Sequence, residues 1–217
     1  MNETNTPAAR RPLTTRNTAW AGAVARACVK AGLSPNTISI ASVLFAAAAA
    51  VLFSVTQDAK PRDVPWFLLG AALMVQGRLL CNMLDGMVAI EGGMKTKSGE
   101  IYNELPDRIA DPIILVGAGY AFGSLGLLGW LAAVMALLTA YVRALGVAAG
   151  ASQQFCGPMA KPHRMFTITV AAIAQAILVI AHNDLPILTY ALALISIGCI
   201  VTIIRRTARI VRELEAK

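Results

Sequence analysis

An all-α, polytopic membrane fold is predicted by three features of this 217-residue chain: 57% hydrophobic residues, only 14% charged residues, and a mean hydropathy of +0.63. One soluble domain could not bury that much apolar surface, so a bilayer must cover the excess. The apolar residues also fall into stretches of the length that a hydrocarbon core of about 30 Å demands, roughly 20 residues per helix.

Before the first stretch, residues 17–31 read as a short amphipathic helix lying on the membrane, with Trp20 at the interface and Arg26 and Lys30 toward the headgroups. Ser34 is placed to cap the next helix and Pro35 to start it, where its missing N–H costs nothing. Four uncharged stretches then qualify as spans: 37–57, 122–142, 165–181 with its flanks, and 185–204. Two more, 65–90 and 99–121, are interrupted by charge: Arg78 and Asp85 in the former, Asp107, Arg108 and Asp111 in the latter. Counting both gives six spans after the N-terminal interfacial helix. Residues 1–33 would form the cytoplasmic and interfacial segment and 34–217 the bundle, all within one domain.

The net charge of +7 describes topology. Of the nineteen Lys and Arg, only Lys60 and Arg62 fall in the predicted outer loops, and Arg78, Arg108 and Arg143 lie within spans. The rest, from Arg10 to the run Arg205, Arg206, Arg209 and Arg212, lie on the side of the N-terminus. The positive-inside rule therefore predicts cytoplasmic termini in a cell (inner) membrane, with the terminal arginines anchoring anionic lipid. The basic residues are not interleaved with aromatics on one face, so nucleic acid is excluded as a partner. Cys28, Cys81, Cys156 and Cys199 are too scattered for a disulfide framework or a zinc site.

A charged side chain inside a span costs at least a few kcal/mol, so Asp85, Asp107 and Asp111 are candidates for function. At 100° per residue, Asn82, Asp85, Gly86 and Ala89 share an arc of about 100° on one helix, and Asn103, Asp107 and Asp111 an arc of about 80° on the next. The short connection 91–98 makes the two helices antiparallel neighbours whose polar stripes can face each other near the cytoplasmic surface. Carboxylate and amide oxygens gathered this way suit a hard divalent cation that bridges protein to phosphate. Gly86, Ala89 and Gly99 leave room for a phosphate-bearing ligand, and Pro106 frees the Tyr102 carbonyl for another partner. The plainer reading of the same acids is buried pairing with Arg78, Arg108 or Arg143.

The run Asn82-Met-Leu-Asp85-Gly86-Met-Val-Ala89-Ile90, then eight residues, then Gly99-x-x-x-Asn103-x-x-x-Asp107, resembles the signature of the CDP-alcohol phosphatidyltransferases, D-x-x-D-G-x-x-A-R-x8-G-x-x-x-D-x-x-x-D. The resemblance extends to the six-span layout, to the Leu33-Ser34-Pro35-Asn36 lead-in and to the basic segment from Gly157 to Arg164. Three positions depart from it: Asn82 and Asn103 replace Asp, and Ile90 replaces Arg.

The resemblance implies an enzyme that transfers a phosphatidyl group from CDP-diacylglycerol to a small alcohol, releasing CMP, with Mg²⁺ or Mn²⁺ as cofactor. It implies a metal site of Asn82, Asp85, Asn103, Asp107 and Asp111, with Asp107 also the catalytic base. Gly86, Ala89, Gly99 and Lys95 would meet the CDP diphosphate, Lys97 and Arg108 being other substitutes for the missing Arg. Lys161 and Arg164 would hold a phosphate on the acceptor. The family's site holds two cations, and Glu91, Glu100, Glu104 and Asp111 are nearby sources of the charge lost at Asn82 and Asn103. A homodimer surrounded by membrane lipids is also implied. Two other readings stay open: a degenerate member that binds CDP-lipid without turnover, and a small transporter.

Overall fold

The computed structural model describes residues 18–94 and 98–217, apart from the side chains of Glu100 and Asn103. The expectations placed on Arg10, Lys95, Lys97 and the Asn103 side chain lie outside the described residues. Among those described, seven helices account for most of the residues: α1 (Ala19–Lys30), α2 (Pro35–Val55), α3 (Val64–Glu91), α4 (Gly99–Gly119), α5 (Gly126–Ala148), α6 (Lys161–Ile180) and α7 (Ile187–Glu215).

Local chemistry explains the boundaries. Ser34 is extended and its hydroxyl accepts the Thr37 N–H at 3.1 Å, with Pro35 at the first helical position, as the sequence predicts. The span expected at 122–142 begins instead at Gly126. Gly123 takes a left-handed φ of +68°, and the Phe122 N–H donates to the Thr56 hydroxyl at 2.8 Å, so the apolar run turns before it becomes helical. At the other end α7 continues to Glu215 and carries the arginine run with it. Arg205, Arg209 and Arg212 are exposed there, but Arg206 is buried, donating to the backbone carbonyls of Cys156 and Thr139 at 3.0 and 2.6 Å. It staples two segments together and is no lipid anchor.

Five helices, α2, α3, α5, α6 and α7, are long and apolar enough to cross a membrane. The 21-residue α4 is not among them, because Glu100, Glu104, Asp107, Arg108 and Asp111 crowd its first two thirds. It nevertheless packs extensively against α2 and α5. The protein is a membrane protein built inside out: Leu44, Leu127, Ile177 and Ile197 point outward, more than half exposed, while alanines such as Ala49, Ala71, Ala118, Ala132 and Ala172 fill the helix interfaces. Small residues let backbones approach where lipid tails compete equally for apolar side chains.

The expected hairpin of α3 against α4 is not what forms. The helix α3 packs on α2 and α6, and α4 on α2 and α5, while α3 and α4 touch only sparsely. Long polar side chains, described below, fill the space between them, whereas Gly117 lets α4 press onto α2. A Cβ on Gly117 would sit 2.4 Å from the Ala50 Cα. The short helix α1 buries Ala21 and Ala25 against Met83, Leu84, Met87 and Val88 at the end of α3 and leaves Trp20 exposed.

Gly117→Val should force α2 and α4 apart and lower stability by about 1–3 kcal/mol, the usual cost of overpacking. Denaturation of the protein in detergent tests this, and an unchanged midpoint would mean that the α2–α4 contact is dispensable.

Candidate active site

Three buried carboxylates and three side-chain cations meet where α3, α4 and α6 converge. Asp85 on α3 is 4% exposed, and its partners are neutral: the Ser39 hydroxyl of α2 donates at 2.8 Å and the Gly86 N–H at 2.5 Å. One turn earlier, the Asn82 amide crosses to α4, where its Nδ2 donates to Asp107 Oδ1 at 3.0 Å. Asp107 Oδ1 also accepts from Arg78 Nη2 at 2.8 Å, and its Oδ2 pairs with Lys161 of α6. The Lys161 ammonium donates in turn to Asn82 Oδ1 at 2.5 Å. Lys161 therefore bridges an amide oxygen of α3 and a carboxylate of α4.

Asp111 sits one turn deeper on α4. Its Oδ1 lies 2.7 Å from Arg78 Nη2, an ion-pair contact, and its Oδ2 accepts from Arg164 Nη2 at 2.8 Å. Arg78 is fully buried, with Nε and Nη1 lacking a hydrogen-bond partner among the described residues. Arg164 is completed by the Met159 carbonyl at 3.1 Å and the Thr139 hydroxyl at 3.4 Å. Beside this group, Glu104 pairs with both Arg108 and Arg143, the latter at 2.7 Å, and the Arg143 guanidinium lies 5.4 Å from the centre of the Phe155 ring. A narrow cleft lined by Asp107, Arg108, Asp111, Pro112, Ala136, Leu137 and Arg164 runs alongside.

The polar residues expected to form facing stripes are shared out between different partners. Asn82 and Asp107 meet directly. Asp85 faces Ser39 on α2, and among the described residues no three His, Cys, Asp or Glu side chains converge as a ready-made metal site. Gly86, Ala89 and Gly99 are half-buried and line these helices as expected. Arg164, expected at an acceptor phosphate, is 3% exposed and spent on Asp111, so it supports α4 from behind. Of the nearby acids expected to replace lost charge, those described each face a cation: Glu91 lies 3.9 Å from Arg26, Glu104 holds two arginines, and Asp111 two more, while the Glu100 side chain lies outside the described residues. The plainer expectation of pairing with Arg78 is met at Asp107 and Asp111. Sequence spacing missed Ser39, whose only signal is a hydroxyl one turn into the largely apolar run of α2.

No family model matches the chain. The phosphatidylinositol phosphate synthase of Mycolicibacterium smegmatis is 27% identical over 195 residues, covering 84% of this chain and 80% of that protein. Its alignment spans the residues that resemble the phosphatidyltransferase signature. The chain is thus similar over most of its length to a CDP-alcohol phosphatidyltransferase. The fold recurs in solved structures of the Mycobacterium tuberculosis phosphatidylinositol phosphate synthase. With CDP-DAG bound, that enzyme superposes with a TM-score of 0.73 at 22% identity, covering 88% of this chain and 92% of that one. Its complex with manganese and citrate gives 0.72 at 22% identity, covering 88% of each chain.

Within this phosphatidyltransferase fold, Arg78 is the side chain whose loss should be felt most. Arg78→Leu would leave Asp107 and Asp111 adjacent, buried and short of a counter-charge, at an expected cost of about 3–5 kcal/mol. Arg78→Leu combined with Asp111→Leu should recover part of it. Denaturation curves for the single and double variants decide, and equal instability of the two would show that the Arg78–Asp111 pairing carries little of the cost.

Proposed function

We propose that this chain is a CDP-alcohol phosphatidyltransferase, moving a phosphatidyl group from CDP-diacylglycerol to a small alcohol and releasing CMP, with a divalent cation in the site. The observation that carries the proposal is Asp85: a buried carboxylate with only neutral partners, one helical turn from the Asn82–Asp107–Lys161 group. A buried carboxylate is normally paired or coordinates a metal, and among the described residues no side-chain cation pairs with this one. The donor set of carboxylate and amide oxygens fits Mg²⁺ or Mn²⁺.

Asp85 would hold the ion with Asn103 and substrate diphosphate oxygens, Asn82 and Asp107 being turned to Lys161. Bound there, it would neutralise charge on the diphosphate as the phosphoryl group transfers. The chain's own side chains do the rest. Lys161 spends two of its three N–H donors on Asn82 and Asp107, leaving the third for a substrate phosphate oxygen. Gly86, Ala89 and Gly99, with Lys95, admit the CDP headgroup. Asp107 takes the proton from the acceptor hydroxyl as its oxygen attacks the phosphorus next to diacylglycerol, and the P–O bond to CMP breaks. Arg78 and Arg164, anchored on Asp111, hold α4 and hence Asp107 in register.

The chain works as one domain with α4 as its sixth span, since only a helix enclosed by α2 and α5 could carry those acids through lipid. The helix α1 lies along the inner headgroups, and the site opens to the cytoplasm as the basic residues dictate. A homodimer completes the assembly, as the family resemblance implies.

Asp107→Asn, folded in detergent, should lose CMP release from CDP-diacylglycerol by at least a hundredfold, within the range that a positioned proton acceptor supplies. The assay runs over alcohols beginning with inositol phosphate and glycerol phosphate, with Mn²⁺ and with EDTA. Release at the wild-type rate by the variant, or undiminished release in EDTA, would overturn the proposal. Retention of CDP-diacylglycerol by the wild type with no turnover on any acceptor would identify a binding protein instead.

A further inference from the structure

The described charges of the site already balance. Asp85, Asp107 and Asp111 supply three negative charges, and Arg78, Lys161 and Arg164 supply three positive ones. Two divalent ions would bring this buried group to a net +4, which a substrate diphosphate of about two negative charges does not offset, whereas one ion with that diphosphate leaves it near neutral. The two positions where the signature would provide them are amides, Asn82 and Asn103.

The arrangement around Lys161 shows what takes the place of the lost charge. Its ammonium touches Asn82 Oδ1 at 2.5 Å and pairs with Asp107 Oδ2. It thereby occupies the point between the α3 and α4 stripes where a bridging ion would need those same two oxygens. The side chain is 18% exposed, so one face remains open toward a substrate. An Asp at position 82 would add a charge and call for a stronger cation, whereas the Asn82 amide is matched to an ammonium: its oxygen accepts from Lys161 while its Nδ2 donates to Asp107. Asp85 stands apart from this triad, with its oxygens on Ser39 and Gly86.

We infer that this chain binds one divalent cation, at Asp85, and that the Lys161 ammonium permanently fills the second cation position between Asn82 and Asp107. The inference rests on the proposed function and sharpens it, because Lys161 becomes a built-in cation that links a protein carboxylate to substrate phosphate, the task otherwise given to a second ion. A point-like ammonium with three donors suits that place better than a planar guanidinium would.

The test is a count of ions, read separately from turnover. Full-length protein in detergent is titrated with Mn²⁺ while free ion is followed by electron paramagnetic resonance, and the bound spectrum is recorded. The wild type should bind one Mn²⁺ per chain and give an uncoupled signal. Asn82→Asp combined with Lys161→Met, which restores the carboxylate and clears the position, should bind two and give a spin-coupled signal. Two ions in the wild type overturn the inference and leave the transferase reading intact, whereas no ion in the wild type overturns both. If the double variant folds, as judged by its melting transition, and still binds one ion, Lys161 is not the occupant and the inference fails. If it does not fold, the wild-type count and spectrum decide alone.

Discussion

The structure turns on one buried guanidinium. Arg78 enters from α3 with no exposed surface and places a single nitrogen within 2.8 Å of both Asp107 and Asp111 on α4. Two carboxylates one helical turn apart in an apolar bundle would otherwise repel each other and resist burial. With Arg78 between them, and with Arg164 and Lys161 reaching in from α6, the most acidic helix among those described packs these carboxylates inside the bundle. The same contacts explain the odd packing of the bundle. Helices α3 and α4, close in sequence, are spaced by the side chains that join them, while α4 finds its close backbone contact on α2 through Gly117 and Ala50.

A rigid electrostatic frame of this kind has a consequence for chemistry. Asp107 is positioned from three sides, by Arg78, Asn82 and Lys161, and cannot choose its own rotamer. Asp85 is set from two sides by neutral donors and keeps its negative charge available. One fold thus presents two carboxylates on successive helices in different electrical surroundings, the condition under which one serves a cation and the other a proton.

Much of this was legible in the sequence, because it follows from periodicity. The spacing of Asn82, Asp85, Asn103 and Asp107 marks two polar stripes, the Ser34-Pro35 pair marks a helix start, and the apolar runs give the all-helical membrane class. What was not legible depends on partners distant in the chain. Nothing near Asp85 announces Ser39, 46 residues away. Positive charge beside the membrane reads as topology, so Arg164 and Arg206 look like ordinary inward-side residues until burial shows them bonded to Asp111 and to two backbone carbonyls. Apolar runs carry no mark of a turn, which is why Gly123 moves the start of α5 by four residues and why α7 outlasts its hydrophobic stretch.

The departures at Asn82 and Asn103 look like losses when each position is judged alone. Taken with the cations of the site, they are terms in one balance. Each amide lowers the negative charge of the site, and Lys161 and Arg78 occupy the space and the oxygens that the remaining charge can support. Restoring a carboxylate at position 82 without removing Lys161 would create a tight ion pair and not a metal site. What persists is the geometry of two helices offering oxygens to a cation. The identity of that cation, metal or ammonium, is the variable that this sequence has changed.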